Sequence, residues 1–215
     1  MDIYWYGLSC FRLVERNKAA IITDPFSEGF GYTVKKLDAD VVTVSHDAPG
    51  HNNPKMAKGL NPNHLLTGPG EYEIGGVFIT GIVPADRKRR EQGDRNVIYH
   101  FDFENVTVAH LGDLHFVPSQ ATMESLSGVD VALVPVGGGK GLNAAQAAEV
   151  VSLLEPRLVI PMHYHTPELE GVALDPLDKF LHEMGVTHVE PIESLRLTSH
   201  VTEDDTKVVV LGLKA

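Results

Sequence analysis

Short β-type runs at both ends of the chain, set around two helical patterns, constrain the fold more than any other feature of this sequence. Residues 3–6, 10–14 and 19–23 alternate in strand fashion, separated by Gly7-Leu8-Ser9 and Glu15-Arg16-Asn17-Lys18, and Asp24-Pro25 ends the third run. That spacing predicts a β-meander. Residues 41–44 are a compact apolar run of the kind a fully buried strand shows, and further strands are predicted at 65–67, 77–83, 96–103, 106–110, 129–136 and 158–161. Behind Asn143, a candidate N-cap, Ala144, Ala147, Ala148, Val151 and Leu154 recur at three- and four-residue steps, which predicts a helix over 143–154. A second helix is predicted over 177–184, opened by Asp175-Pro176 and ended by Gly185. Three β-type runs at 186–189, 194–197 and 207–211 close the chain. Strands on both sides of βα units predict sheets covered by helices, in the α/β or α+β class.

A length of 215 residues suits one large α/β sandwich, so a single domain over 1–215 is expected. No repeat of 20 to 50 residues interrupts it. The formal net charge of −11 opposes approach to a polyanion, which excludes nucleic acid as a general partner. No run of about 18 apolar residues and no basic start ahead of an apolar stretch occurs, so no membrane partner is expected and a cytoplasmic location is. Cys10 is the single cysteine, a candidate buried apolar residue. Any metal must therefore be held by His and carboxylates.

Eleven histidines make such a site affordable, and three chemistry-bearing residues follow buried-strand candidates. His46 comes after residues 41–44 and Ser45, Asp113 after 106–111, and His163 after 158–161. Sites assemble at the carboxyl ends of strands, so these side chains have a reason to converge. His51 follows His46 through a loop with Pro49 and Gly50 that can fold back to the same place. The bland alternative for each is a His that caps a strand or lies at the surface.

The motifs Gly7-Leu8-Ser9-Cys10-Phe11, Thr23-Asp24-Pro25, Ser45-His46, Thr67-Gly68-Pro69-Gly70-Glu71-Tyr72, His110-Leu111-Gly112-Asp113-Leu114, Pro135-Val136-Gly137-Gly138 and Ile160-Pro161-Met162-His163-Tyr164 occur in that order. On them, from about residue 1 to about 200, the chain resembles the metallo-β-lactamase-fold hydrolases, and among these the branch of the ascorbate-phosphate lactonases. The resemblance implies a four-layer αβ/βα sandwich of two mixed sheets with two zinc positions in a shallow cleft at one edge. The family's H-x-H-x-D-H would begin at His46; its second His falls on Ala48, its Asp on Gly50, and its last His on His51. A further family His falls on Ala85, while the bridging Asp is kept as Asp113 and the final His as His163. The first metal position then retains only His46 and is expected to be empty. The second retains His51, Asp113 and His163, the three protein ligands of a catalytic zinc site.

The implied cofactor is thus one zinc or other divalent ion at most, with a metal-free chain as the alternative. Two functions follow. In one, the protein is a single-metal hydrolase of an ester, lactone or phosphoester, with Asp113 and His46 as catalytic residues. His46, His110, His115, His165 and Asp86 are then candidate supporting groups or replacement ligands. In the other, it is a catalytically inactive, metal-free binding or scaffold protein of the same fold. The partner is a small anionic or neutral molecule, and by analogy with the resembled branch the chain forms homo-oligomers.

Arg87-Lys88-Arg89-Arg90 reads as a solvated loop ahead of an anion-steering patch, since Asp86, Glu91 and Asp94 offset it. Gly137-Gly138-Gly139-Lys140-Gly141 lacks the hydroxyl residue of a nucleotide-triphosphate loop and predicts a tight strand-to-helix connection near the cleft. Asp24 corresponds in the resemblance to a buried carboxylate that orients a metal-loop His; strand-end capping is the equal alternative. No G-x-S-x-G elbow is present, which argues against a serine hydrolase.

Overall fold

In the computed structural model, which describes residues 1–33, 35–61, 64–84, 95–199 and 205–214, the meander forms as the alternation requires. Strands β1 (Asp2–Gly7), β2 (Cys10–Val14) and β3 (Ile21–Thr23) pair antiparallel in sequence order. Strands β4 (Leu37–Asp38) and β6 (Ala57–Lys58) make a small parallel pair apart from the main sheets. Strands β5 (Val41–Thr43) and β7 (Leu65–Leu66) extend the meander in parallel beyond β3.

The second sheet starts as antiparallel neighbours, β8 (Gly70–Ile74), β9 (Val77–Ile82), β10 (Ile98–Asp102) and β11 (Thr107–His110). It continues in parallel through β12 (Val131–Pro135), β13 (Leu158–Met162) and β15 (Lys207–Val208). β14 (Leu195–Arg196) returns to the first sheet, whose order is β14-β1-β2-β3-β5-β7, against β15-β13-β12-β11-β10-β9-β8 in the second. Both sheets are mixed, as expected.

Inward residues of the two sheets make the main core: Ile3, Trp5, Phe11, Leu13 and Val41 from one, and Val77, Ile79, Tyr99, Phe101 and Val108 from the other. Helix α1 (Gln120–Glu124), helix α2 (Ala144–Leu154) and helix α3 (Leu177–Glu183) belong to the second half of the chain. α2 begins where the sequence places it. Asn143 accepts from the Gln146 amide while the Gln146 side chain accepts from the Asn143 amide, a closed capping box. The outer face of the first sheet carries a smaller apolar cluster, Tyr6, Leu8, Ile22, Phe26, Val42 and Met56. It includes Met56 of a 3₁₀ turn, Pro54–Met56, and Phe26 and Tyr32 of the segment after β3, so the described residues that cover this face are in loops and a short turn.

Residues 186–189, expected as a strand, do not form one. Gly185 takes φ 69 and the Val186 amide donates to Leu181 O, so the chain wraps the end of α3 and its amides are not offered to a sheet. β8 and α1 were not anticipated. Among the described residues, no helix is long and apolar enough to cross a membrane.

Candidate metal centre

Parallel pairing of β3 with β5 and of β11, β12 and β13 decides where the site forms, because the loops leaving the carboxyl ends of these strands share one edge. Asp24 follows β3, Ser45 to His51 follow β5, Asp113 follows β11, and His163 follows β13. The two sheets are joined at that edge by the Val97 amide on Ser45 O and the His163 amide on Leu8 O. His46, His51, Asp113 and His163 all line one cleft of about 790 Å³.

Asp24 is the organising group. Fully buried, it accepts the Ser45 amide at 2.7 Å on Oδ1, and the Ser45 hydroxyl at 2.6 Å and His51 Nδ1 at 2.9 Å on Oδ2. A carboxylate accepts only, so the proton of His51 sits on Nδ1 and its Nε2 lone pair is free to bind a cation. Ser45 Oγ, having given its proton to Asp24, is left to accept from His46 Nδ1 at 3.1 Å, which fixes the same tautomer in His46. Burial works against the charged form of Asp24, but the neighbouring His110 and the hydrogen bonds from His51 and Ser45 outweigh it and lower the pKa. For His51, burial pulls the pKa down, and the hydrogen bond and charge of Asp24 more than reverse it, giving a raised value.

On the opposite wall, Asp113 presents one carboxylate oxygen to each of two histidines. Oδ2 is 4.0 Å from His46 Nε2, and Oδ1 is 3.6 Å from His163 Nδ1. The second separation is too long for a hydrogen bond, and both Oδ1 and His163 Nδ1 are buried with no hydrogen-bond partner. Two ligands about 2.1 Å from a tetrahedral ion stand roughly 3.4 Å apart, so a divalent cation between these atoms answers both deficits. Burial lowers the pKa of His163 to about 4, and the ring is neutral and fit to donate a lone pair. The donor set of imidazoles and one carboxylate suits zinc. His46, His51 and Asp113 offer ligand atoms all within 4.8 Å of one another; His163 lies outside that group and approaches Asp113 at 3.6 Å.

Close approaches hold Asp113 and His163 in place. The Asp113 amide donates to Asn96 Oδ1 at 2.9 Å, while Asn96 Nδ2 donates to Leu111 O. A Cβ on Gly141 would lie 2.7 Å from Asp113 Oδ1, and one on Gly137 would lie 2.2 Å from His163 O. The glycine loop thus connects β12 tightly to α2 at the edge of the cleft, as the sequence predicted, and its bare backbone makes room for both ligands.

All four residues line one cleft, and His46, expected at the emptied first position, is grouped by its ligand atom with His51 and Asp113, whereas His163 is not. Ala48 and Gly50 line the cleft without offering a ligand atom. His110 is a structural residue: fully buried, it donates from Nε2 to Ser9 O at 2.8 Å and receives the Gly112 amide on Nδ1. His115 lines the cleft with Nδ1 on Asp113 O, whereas His165 is exposed and is not part of the cleft lining. Ala85, Asp86 and Arg87-Lys88-Arg89-Arg90 lie outside the described residues. Cys10 is buried, which pushes its thiol well up, as expected of an inert core residue. The supporting roles of Ser45 and Asn96 are not announced by the sequence, in which Ser45 stands only as the residue before His46.

Residues 2–163 match the Beta-lactamase superfamily domain. A UPF0173 protein of Pyrococcus abyssi is 30% identical over 182 residues, covering 77% of this chain and 84% of that protein. A UPF0173 metal-dependent hydrolase of Thermococcus kodakarensis is 30% identical over 230 residues, 92% of this chain and 100% of the relative. A crystal structure from Thermotoga maritima, assigned to the Zn-dependent hydrolases of the metallo-beta-lactamase superfamily, superposes with a TM-score of 0.78 at 33% identity, covering 98% of this chain and 99% of that one.

Proposed function

The chain belongs to the metallo-β-lactamase superfamily, and from that premise we propose that it is a hydrolase working with a single divalent ion, zinc by preference, on an ester, lactone or phosphoester. The observation that carries the proposal is the pair of buried, unpartnered atoms Asp113 Oδ1 and His163 Nδ1, facing each other at 3.6 Å. Leaving both bare costs on the order of 1–3 kcal/mol each, which a bound cation removes. We assign the ion to Asp113 and His163, whose unmet bonds call for it, with His51 as third ligand, and leave His46 for proton transfer.

An ion there supplies a Lewis acid for the scissile oxygen and acidifies water in the cleft. The chain does the rest. Asp24 holds the His51 Nδ1 proton, so that Nε2 stays aimed into the cleft. Asn96 fixes the Asp113 backbone. Asp113 Oδ2 and His46 Nε2, 4.0 Å apart across the open side, form the pair that takes a proton from the attacking water and hands it to the leaving oxygen.

The test is metal content of protein purified with zinc present, followed by turnover on lactones and phosphoesters. About one zinc per chain is expected, retained by His46→Ala, lost by His163→Ala and Asp113→Ala, with hydrolysis abolished in all three. Retention in His163→Ala with loss in His46→Ala would move the ion to the His46 side. Protein that takes up no zinc and turns over nothing is the metal-free binding protein of the alternative reading.

A further inference from the structure

Resting on the hydrolase reading of the same cleft, we propose that its ligand is an amphipathic anion, with an apolar body against Leu8, Phe30 and Leu174 and its charge beside Lys140 and Arg95. The apolar wall is continuous with the smaller core cluster, to which Leu8 belongs and against which Phe30 and Leu174 pack while half-buried. It reaches the metal ligands at one particular place. The position a Cβ would take on Gly50 is 3.4 Å from Leu8 Cδ1 and 3.5 Å from Phe30 Cζ. A carboxylate side chain there would place charge on that wall; glycine leaves it bare next to His51. The glycine that stands where the family motif has its Asp, directly before His51, also opens an apolar surface into the cleft.

The glycine loop closes the other side. The Cβ position of Gly139 is 3.5 Å from Leu174 Cδ2, and that of Gly141 is 2.7 Å from Asp113 Oδ1. Lys140 therefore stands one residue from the apolar wall and one residue from a metal ligand. Lys140 and Arg95 both line the cleft and are exposed, and among the described residues neither makes an ion pair or a hydrogen bond. Asp47 also lines the cleft; its Oδ1 accepts from Asn52 Nδ2 at 2.8 Å, and it makes no ion pair with either cation among the described residues. Asp113 is committed to the metal. In a chain of net charge −11, two uncommitted cations at this mouth set the sign of the ligand locally, against the field of the whole.

Calorimetric titration of the zinc-loaded protein with 1-octanesulfonate, 1-octanol and methanesulfonate tests this without turnover, the sulfonate being a poor zinc ligand. Octanesulfonate should bind at least tenfold more tightly than either of the others, with affinity rising toward fourfold per methylene from butane- to octanesulfonate, an estimate of about the full transfer free energy. Lys140→Glu, on an exposed position, should cost octanesulfonate at least tenfold. Phe30→Ser should flatten the chain-length series. Equal affinities for octanesulfonate and octanol, a flat series in the unmodified protein, or indifference to Lys140→Glu would each overturn the proposal. Octanesulfonate binding as expected in a protein that hydrolyses nothing would sink the hydrolase reading and leave the ligand class standing; turnover on esters or lactones with no octanesulfonate preference would do the reverse.

Discussion

His51 and His163 stand 5.2 Å apart, centroid to centroid, in one cleft, and they are held in opposite ways. His51 is fastened through Nδ1 to a buried carboxylate that has two further hydrogen bonds from Ser45. Its pKa is raised. His163 has no partner for Nδ1, faces an equally unpartnered oxygen, and has its pKa lowered to about 4. One wall is complete without an ion. The other is completed by one. The first wall is therefore a preorganised frame, whose stability belongs to the fold, and the second a deficit, whose stability belongs to the ligand.

The largest expected effect breaks the frame. Asp24→Ala removes an acceptor that satisfies three buried donors, and it places alanine at φ 39, a conformation asparagine and aspartate tolerate better. Loss of about 3 kcal/mol or more is expected in urea unfolding of the metal-free protein, in line with removing one member of a buried charged network. Zinc affinity should fall roughly 10–100-fold, because the tautomer and aim of His51 go with it. If the stability falls and zinc affinity holds, packing alone positions His51 and the frame is not what prepares the ligand.

The frame was partly legible from sequence, the deficit hardly at all. Asn143 and the three- and four-residue recurrence behind it announced α2, and the alternation in residues 3–14 announced a hairpin, because both signals are local. β8 carried a weaker form of that signal: Glu71-Tyr72-Glu73-Ile74 alternates polar and apolar residues, but the run is short and lies at a sheet edge, and its pairing with β9 defines it. The run at 186–189 had the right composition and no partner, since Gly185 turned it onto α3. The ligands could be named from their places after strands and from the family resemblance. That His46 and His163 would flank the two oxygens of one carboxylate, and that Asn96 would hold that carboxylate's backbone from 17 residues away, are consequences of packing between sheets that no local pattern carries.

A smaller effect separates the two histidines by pH. His163 binds a proton in the unfolded chain near 6.5 and in the folded one only near 4, so its contribution to the stability of metal-free protein is intact above 6.5 and is lost as pH falls toward 4. That amounts to about 2 kcal/mol between about pH 7 and about pH 5, from roughly 1.4 kcal/mol per unit. His51 runs the other way: with a raised folded pKa, its contribution is full below 6.5 and is lost as pH rises through the folded value. Asp24, lowered from 3.8, adds a loss only at more acid pH than the His163 window. Urea unfolding in chelator should show His163→Asn, which suits φ 54, flattening the acid side, and His51→Gln flattening the neutral side. The same flattening from either variant would mean that the two rings titrate as one group, and the contrast between the walls would fail.

The smallest effect on stability should come from Gly141→Ala, and it acts on the deficit alone. The added Cβ would meet Asp113 Oδ1 at 2.7 Å, with its next neighbours, Gly138 O and Leu114 O, at 3.5 and 3.6 Å. Gly141 has no left-handed φ, so the backbone accepts alanine, and the reduced freedom of the unfolded chain offsets the local push, leaving a net change within about 1 kcal/mol. What must move is the carboxylate. Zinc affinity should then drop about tenfold, as for other displaced supports of a metal ligand, while the His51 Nδ1 proton keeps its resonance in the proton NMR spectrum of metal-free protein, since Asp24 and Ser45 are untouched. Unchanged zinc affinity would show that Oδ1 swings without cost and is not the oxygen that binds, whereas a shifted His51 resonance would show that the frame and the deficit are mechanically one.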